Sequence, residues 1–138
     1  MRITLESDYA LKIVTALAER GEVTDANALS YETAVTQRFT LKILRKLTLG
    51  GFVSSYKGAR GGYKLKASPE EITLKDIIEL IDGPIAIARC LDEGACALNH
   101  DTAGCIYHHI FDGISHDVAK KLESITIADV LKKANRLS

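Results

Sequence analysis

The 138-residue chain has no long hydrophobic run, only three cysteines, and not one acidic residue between Thr36 and Lys66. Its apolar runs are short and broken by charges, whereas a membrane-spanning helix needs about 20 consecutive apolar residues. The start, MRITLESDYALK, brings in acids early and lacks the apolar segment of a signal peptide, so a cytoplasmic protein is expected. An odd number of cysteines in a reducing compartment does not build a disulfide framework. Nor does the sequence carry the glycine fingerprint of a nucleotide-binding strand-to-helix turn or a Ser/His/Asp arrangement, and an enzyme is not expected. There are no internal repeats and no low-complexity tract.

The acid-free stretch is the first positive signal. It holds eight basic residues, Arg38, Lys42, Arg45, Lys46, Lys57, Arg60, Lys64 and Lys66, in a chain whose formal net charge is zero. The remainder therefore carries a balancing negative charge, a division that suits one phosphate-facing surface. Periodicity places helices around it. Ala10, Ile13, Val14, Leu17 and Ala18 share one face of a helix running from Ser7, a candidate N-cap, to Arg20, with Gly21 ending it. A short helix is expected over 27–35. A third follows Thr36, with Phe39, Ile43, Leu44 and Leu47 inward, and stops at Gly50 and Gly51. Phe52–Tyr56 and Gly62–Lys66 read as strands joined by a glycine-rich tip bearing Lys57 and Arg60. Three helices followed by a basic hairpin make a winged helix-turn-helix, here placed at 1–84 in a mainly α chain.

Beyond Pro69, Thr73 and Asp76 have the spacing to cap a helix bearing Leu74, Ile77, Ile78 and Ile81 on its apolar side. Residues 85–105 lack periodicity and form a cysteine-containing loop. The segment 106–138 begins with a long helix carrying Ile106, Ile110, Ile114, Val118 and Leu122 at intervals of four. So long a stripe suits pairing with a second copy of the chain. Thr126 and Asp129 open a last short helix.

Cys90, Cys96 and Cys105 lie within sixteen residues of one another. Soft thiolates so grouped suit iron–sulfur chemistry. Zinc sites prefer Cys-x2-Cys knuckles, which this Cys-x5-Cys-x8-Cys spacing lacks; a thiol switch is a further alternative. On the expected recognition helix, Thr36, Gln37, Arg38 and Thr40 are placed for base edges. Lys42, Arg45 and Lys46 are placed for phosphates, with Lys57 and Arg60 completing the footprint from the wing.

The segments MRITLESDYALKIV, TLKILRKLTLGGFV and GGFVSSYKGARGGYKLKASPEEITLKDIIELIDGP, together with three cysteines ahead of a long helix, resemble one bacterial regulator family. It includes the iron–sulfur biogenesis repressor IscR and the nitric-oxide sensor NsrR. The resemblance spans nearly the whole chain. It implies a homodimeric repressor bound to a pseudo-palindromic double-stranded operator, controlled by a [2Fe-2S] or [4Fe-4S] cluster. It also implies a fourth, non-cysteine cluster ligand: Asp8, at the carboxylate position of NsrR-like relatives and reaching from the partner subunit, or His108, matching the histidine of IscR-like relatives. Asp8 is the marginally favoured choice. The gap between the second and third cysteines is longer here than those relatives usually have. Family members without cysteines respond to other signals, so a cluster-free regulator sensing a metabolite or protein partner is the alternative.

Overall fold

The computed structural model describes residues 1–91 and 104–137. Helix α1 (Leu5–Arg20) starts one turn earlier than its sequence suggests. Thr4, in extended conformation, accepts from the Ser7 amide at 3.1 Å and is the N-cap. Its own hydroxyl donates to Asp82 at 2.5 Å and its amide to the same carboxylate at 3.2 Å. Ser7 is instead fully buried inside the helix, its Oγ without a hydrogen-bond partner. Gly21 closes α1 at φ 64°, a conformation glycine takes without steric cost.

Asp25 caps α2 (Ala26–Thr33) through the Ala28 amide, and Thr36 caps α3 (Gln37–Leu49) through the Phe39 amide. The antiparallel hairpin β1 (Val53–Tyr56) and β2 (Gly62–Leu65) runs in register Val53↔Leu65 to Tyr56↔Gly62. It does not hang free: Thr24, in the loop before α2, bridges Tyr63 through two backbone hydrogen bonds of 2.9 and 2.8 Å.

Helix α4 (Leu74–Asp82) opens with the expected capping box, Thr73 and Asp76 each satisfying the other's backbone amide. A short 3-10 turn (Arg89–Leu91) precedes the undescribed residues, and α5 (Ile106–Glu123) follows them. The core unites Ile13, Val14 and Leu17 of α1, Ile43, Leu44 and Leu47 of α3, Val53, Ile72, Ile77 and, from α6 (Ile127–Leu137), Ile127.

Of the two helices expected in 106–138, the second, α6, packs on α1. Ile127 donates its amide to the Ile72 carbonyl at 2.9 Å, and Leu74 donates to the Ile125 carbonyl at 3.0 Å. Thr126 and Asp129 exchange amide hydrogen bonds of 2.9 and 3.1 Å across the first turn of α6. The backbone N–H of Thr126, then its side-chain hydrogen bond, hold the Asp129 carboxyl below its ordinary value of 3.8. A carboxylate so depressed stabilises the folded state above its ordinary range and loses that contribution as pH falls through its folded value. On acidification below about pH 4, amide exchange at the start of α6 should rise before that of α3; an Asp129→Asn variant should lack this early phase.

Candidate nucleic-acid interface and cysteine site

Helix α3 divides cleanly around its axis. Thr40, Ile43, Leu44 and Leu47 are completely buried, and the opposite side carries Arg38, Lys42 and Arg45, all exposed. This division follows from the 3.6-residue period: apolar residues at i, i+3, i+4 and i+7 claim the core face, and the cations take what is left. The end bearing the uncapped amides of Gln37 and Arg38 points outward, with Thr36 and Gln37 exposed beside it.

Two of the residues assigned to this surface sit elsewhere. Thr40 is 0% exposed and its hydroxyl turns inward to the Val35 carbonyl at 3.4 Å, so it is a core residue and cannot meet a base edge. The helical period places it one turn before Leu44 on the inner face. Lys46 is half-buried and its Nζ lies 2.8 Å from Glu6 Oε1 of α1, with Lys42 Nζ 3.7 Å from the same oxygen. Glu6 thus ties α1 to the recognition helix and takes up part of the charge that the acid-free segment seemed to offer. Phe39, expected inside, is 42% exposed on the flank, meeting the edge of Tyr9 at 6.0 Å, with Lys42 Nζ 5.9 Å from its ring centroid.

The wing supplies a second basic element. Lys57 and Arg60 are exposed at the tip, flanked by exposed Lys64 and Lys66. The tip turns through Gly58 at φ 101°, with the Gly61 amide donating to the Gly58 carbonyl at 2.9 Å. Thr24 ties β2 to the loop leading into α2, so the wing is anchored to the helix-turn-helix by backbone hydrogen bonds. Helix and hairpin both present cationic side chains to solvent, the charge a phosphate backbone attracts.

The described cysteines flank the undescribed residues between α4 and α5. Cys90 is half-buried in the 3-10 turn and Cys105 is exposed at the N-cap position of α5; both are free thiols. Cys96 lies outside the described residues. Among the described residues no three His, Cys, Asp or Glu side chains are grouped to hold a metal ion. The two candidate fourth ligands differ in their surroundings. Asp8 is half-exposed on α1 and paired with Lys12 at 2.9 Å. His108, one turn into α5 beyond Cys105, has a buried Nδ1 with no hydrogen-bond partner among the described residues. A buried ring nitrogen left without a partner costs desolvation that a ligand would recover.

Ile87, at the start of the cysteine segment, is hydrogen-bonded both to α5 and to the N-terminal amine. The Ile87 amide donates to Ser115 Oγ of α5 at 3.0 Å, and the Ile87 carbonyl accepts from the N-terminal amine of Met1 at 3.3 Å. Thr4, three residues on, is held by Asp82 at the end of α4. Helix α5 itself keeps Ser115 buried but leaves Ile106, Tyr107, Ile110 and Ile114 between 43% and 66% exposed. No helix among the described residues is long and apolar enough to cross a membrane.

Comparison with known proteins places these features in context. The family model described as Rrf2, iron-dependent transcriptional regulator, matches residues 3–133. An Rrf2-like HTH-type transcriptional regulator of Rhodobacter capsulatus is 33% identical over 96% of this chain and 94% of its own length. Among solved structures, IscR of T. potens superposes with a TM-score of 0.78 at 22% identity, covering 97% of this chain and 88% of that one. CymR, the global cysteine regulator of B. subtilis, also reaches 0.78, at 25% identity over 96% of this chain and 98% of its own.

Proposed function

Because the chain belongs to the Rrf2 family of transcriptional regulators, whose members are DNA-binding proteins and not enzymes, we propose that it is a dimeric repressor whose operator binding is controlled by an iron–sulfur cluster. The observation that carries this reading is the pairing of a cationic helix-and-wing surface with free thiols at Cys90 and Cys105 and an orphaned imidazole nitrogen at His108. On one face Gln37 and Arg38 enter the major groove and Arg45 holds a phosphate beside it, while Lys57 and Arg60 brace the flanking backbone. Lys42 and Lys46 act mainly through Glu6, holding the recognition helix at its angle to α1.

Cys90, Cys96 and Cys105 would hold the cluster. His108 is favoured over Asp8 as fourth ligand, because its Nδ1 is otherwise unsatisfied whereas Asp8 already pairs with Lys12. When bound, such a cluster supplies a redox- and nitric-oxide-sensitive link between the loop and α5. The chain's own contribution is to carry the position of that loop to the DNA-binding face. Ile87 is bonded both to Ser115 of α5 and to the N-terminal amine of Met1, in the segment that leads into α1, so a shift of the loop would move the winged domain against the pairing helix. In a dimer joined through α5, that shift changes the spacing of the two recognition helices.

The test compares wild type, purified without oxygen, with a Cys90/Cys96/Cys105→Ala variant. Wild type should show visible charge-transfer absorption and bind iron and sulfide; the variant should show neither. Operator affinity should differ between them by about 5- to 150-fold, the usual range of a coupling between two sites. A colourless wild type with unchanged operator affinity would instead support a cluster-free regulator. His108→Ala should alter the spectrum more than Asp8→Ala does.

A further inference from the structure

Three apolar side chains of α3 stay in solvent: Phe39, Leu41 and Leu49. Phe39 is accounted for by its edge contact with Tyr9. Leu49 ends the helix, about three turns from the end that enters a groove. Leu41 is different. It is 45% exposed, is absent from the layer of half-buried side chains packed on the core, and lies one turn from Gln37 and Arg38 on one side and from Arg45 on the other. An isolated exposed leucine is ordinary on a protein surface. One held in the middle of a cationic recognition face, on the half of the helix that approaches base edges, is placed against DNA.

Leucine has no hydrogen-bonding group, so it cannot read the donors and acceptors of a base edge. The major groove offers such a side chain one apolar feature, the C5 methyl of thymine. We infer that Leu41 is a specificity-determining residue that packs against a thymine methyl at one position of each half-site. Arg38 and Gln37 provide hydrogen-bonded readout beside it, and Arg45 holds the neighbouring phosphate. The inference rests on the DNA-binding reading above and adds to it a base preference that no charged residue of α3 would produce.

The experiment begins by selecting binding sites for the full-length protein from a randomised duplex library. It then measures affinity for the selected operator with each thymine replaced in turn by deoxyuridine, which removes the methyl and nothing else. Wild type should lose roughly fourfold at one thymine per half-site, the equivalent of one buried methyl. Leu41→Ala should fold with unchanged helicity, bind the thymine operator about 16-fold more weakly (about fourfold for each half-site of the dimer), and be indifferent to deoxyuridine at that position. Selection with Leu41→Ala should lose the thymine there while keeping the rest of the site. Full deoxyuridine sensitivity in Leu41→Ala, or a wild type indifferent to every such replacement, would overturn the assignment while leaving DNA binding intact. A wild type that enriches no duplex would overturn the regulator reading itself, and this inference with it.

Discussion

Replacing both Ile110 and Ile114 by aspartate should leave a folded monomer that binds its operator about a thousandfold more weakly than the wild type. Both side chains sit on the outer face of α5, 47% and 43% exposed, between Ile106 at 65% and the half-buried Val118. The inner face is already committed: Ser115 is buried and bonded to Ile87, and the helix lies against α4. Four large apolar groups on one exposed stripe exceed what a soluble monomer ordinarily shows, and fully burying each contributes about 1.5–3 kcal/mol. Pairing through a second copy supplies that burial symmetrically. A carboxylate on each side of the seam would face its own copy in a drying environment, which association cannot offset.

The DNA consequence follows from linkage. A dimer presents its second recognition helix at an effective concentration of order millimolar, and a monomer forfeits that gain. Light scattering and operator binding measured on the same samples check it. Because both positions face solvent in the single chain, far-UV circular dichroism should not change. Dimers that survive the double substitution, or a wild type that scatters as a monomer, would remove α5 as the pairing surface.

How much of this was legible before the structure depends on whether a signal is local. The capping box of Thr73 and Asp76 was readable because both partners lie within one turn and the chemistry is reciprocal. The glycine at the end of α1 was readable because a single residue type accepts φ 64° freely. The division of α3 was readable only in part. Periodicity alone puts Thr40 on the Leu44 face, but a hydroxyl at the start of a recognition helix invites assignment to DNA until its bond to Val35 is seen. The pairing of Lys46 was not legible for a different reason: its partner, Glu6, lies 40 residues away, and no local pattern announces that pair. Glu6 itself carried no signal beyond being acidic.

The same limit governs α6 and the cysteines. The Thr126/Asp129 start was local and was found. That the helix then returns to cover α1 depends on Ile127 meeting Ile72, a contact between distant segments. For the cysteines, the sequence alone leaned to Asp8 over His108 as a fourth ligand; partners in space supply a different kind of observation, one carboxylate paired with Lys12 and one buried imidazole nitrogen without a partner among the described residues. Such partners carry no mark in the sequence, since each residue sits in the first turn of a helix where a polar residue is unremarkable.

Gly62→Ala should damage the wing severely, costing about 3 kcal/mol of stability and more than tenfold in operator affinity. In the sequence Gly62 reads as the first residue of the second strand, a position that by itself asks for no glycine. The structure gives the reason. Gly62 is the first residue of β2, paired with Tyr56, and it is buried against the loop that enters α2. A Cβ there would stand 2.6 Å from the Thr24 carbonyl oxygen, 2.7 Å from its carbon and 2.9 Å from the Asp25 amide nitrogen. All three are backbone atoms and cannot swing aside as a side chain would. Its φ of 155° adds strain for any L-residue. Relief requires the wing to lift from Thr24, which gives up the two hydrogen bonds of the Thr24–Tyr63 bridge, each worth about 1 kcal/mol, on top of the strain. The N-cap of α2, Asp25, is the next residue and would be disturbed with it. Lys57 and Arg60 would then lose their fixed position relative to α3. The affinity loss should therefore exceed that of Arg60→Ala, which removes one contact and leaves the scaffold whole. Thermal unfolding and operator binding of Gly62→Ala, Arg60→Ala and wild type decide it. If Gly62→Ala melts with the wild type and binds no worse than Arg60→Ala, the wing is not held by Thr24. If it melts earlier and binds as described, the phosphate-facing surface is one rigid body because a backbone passes where no side chain fits.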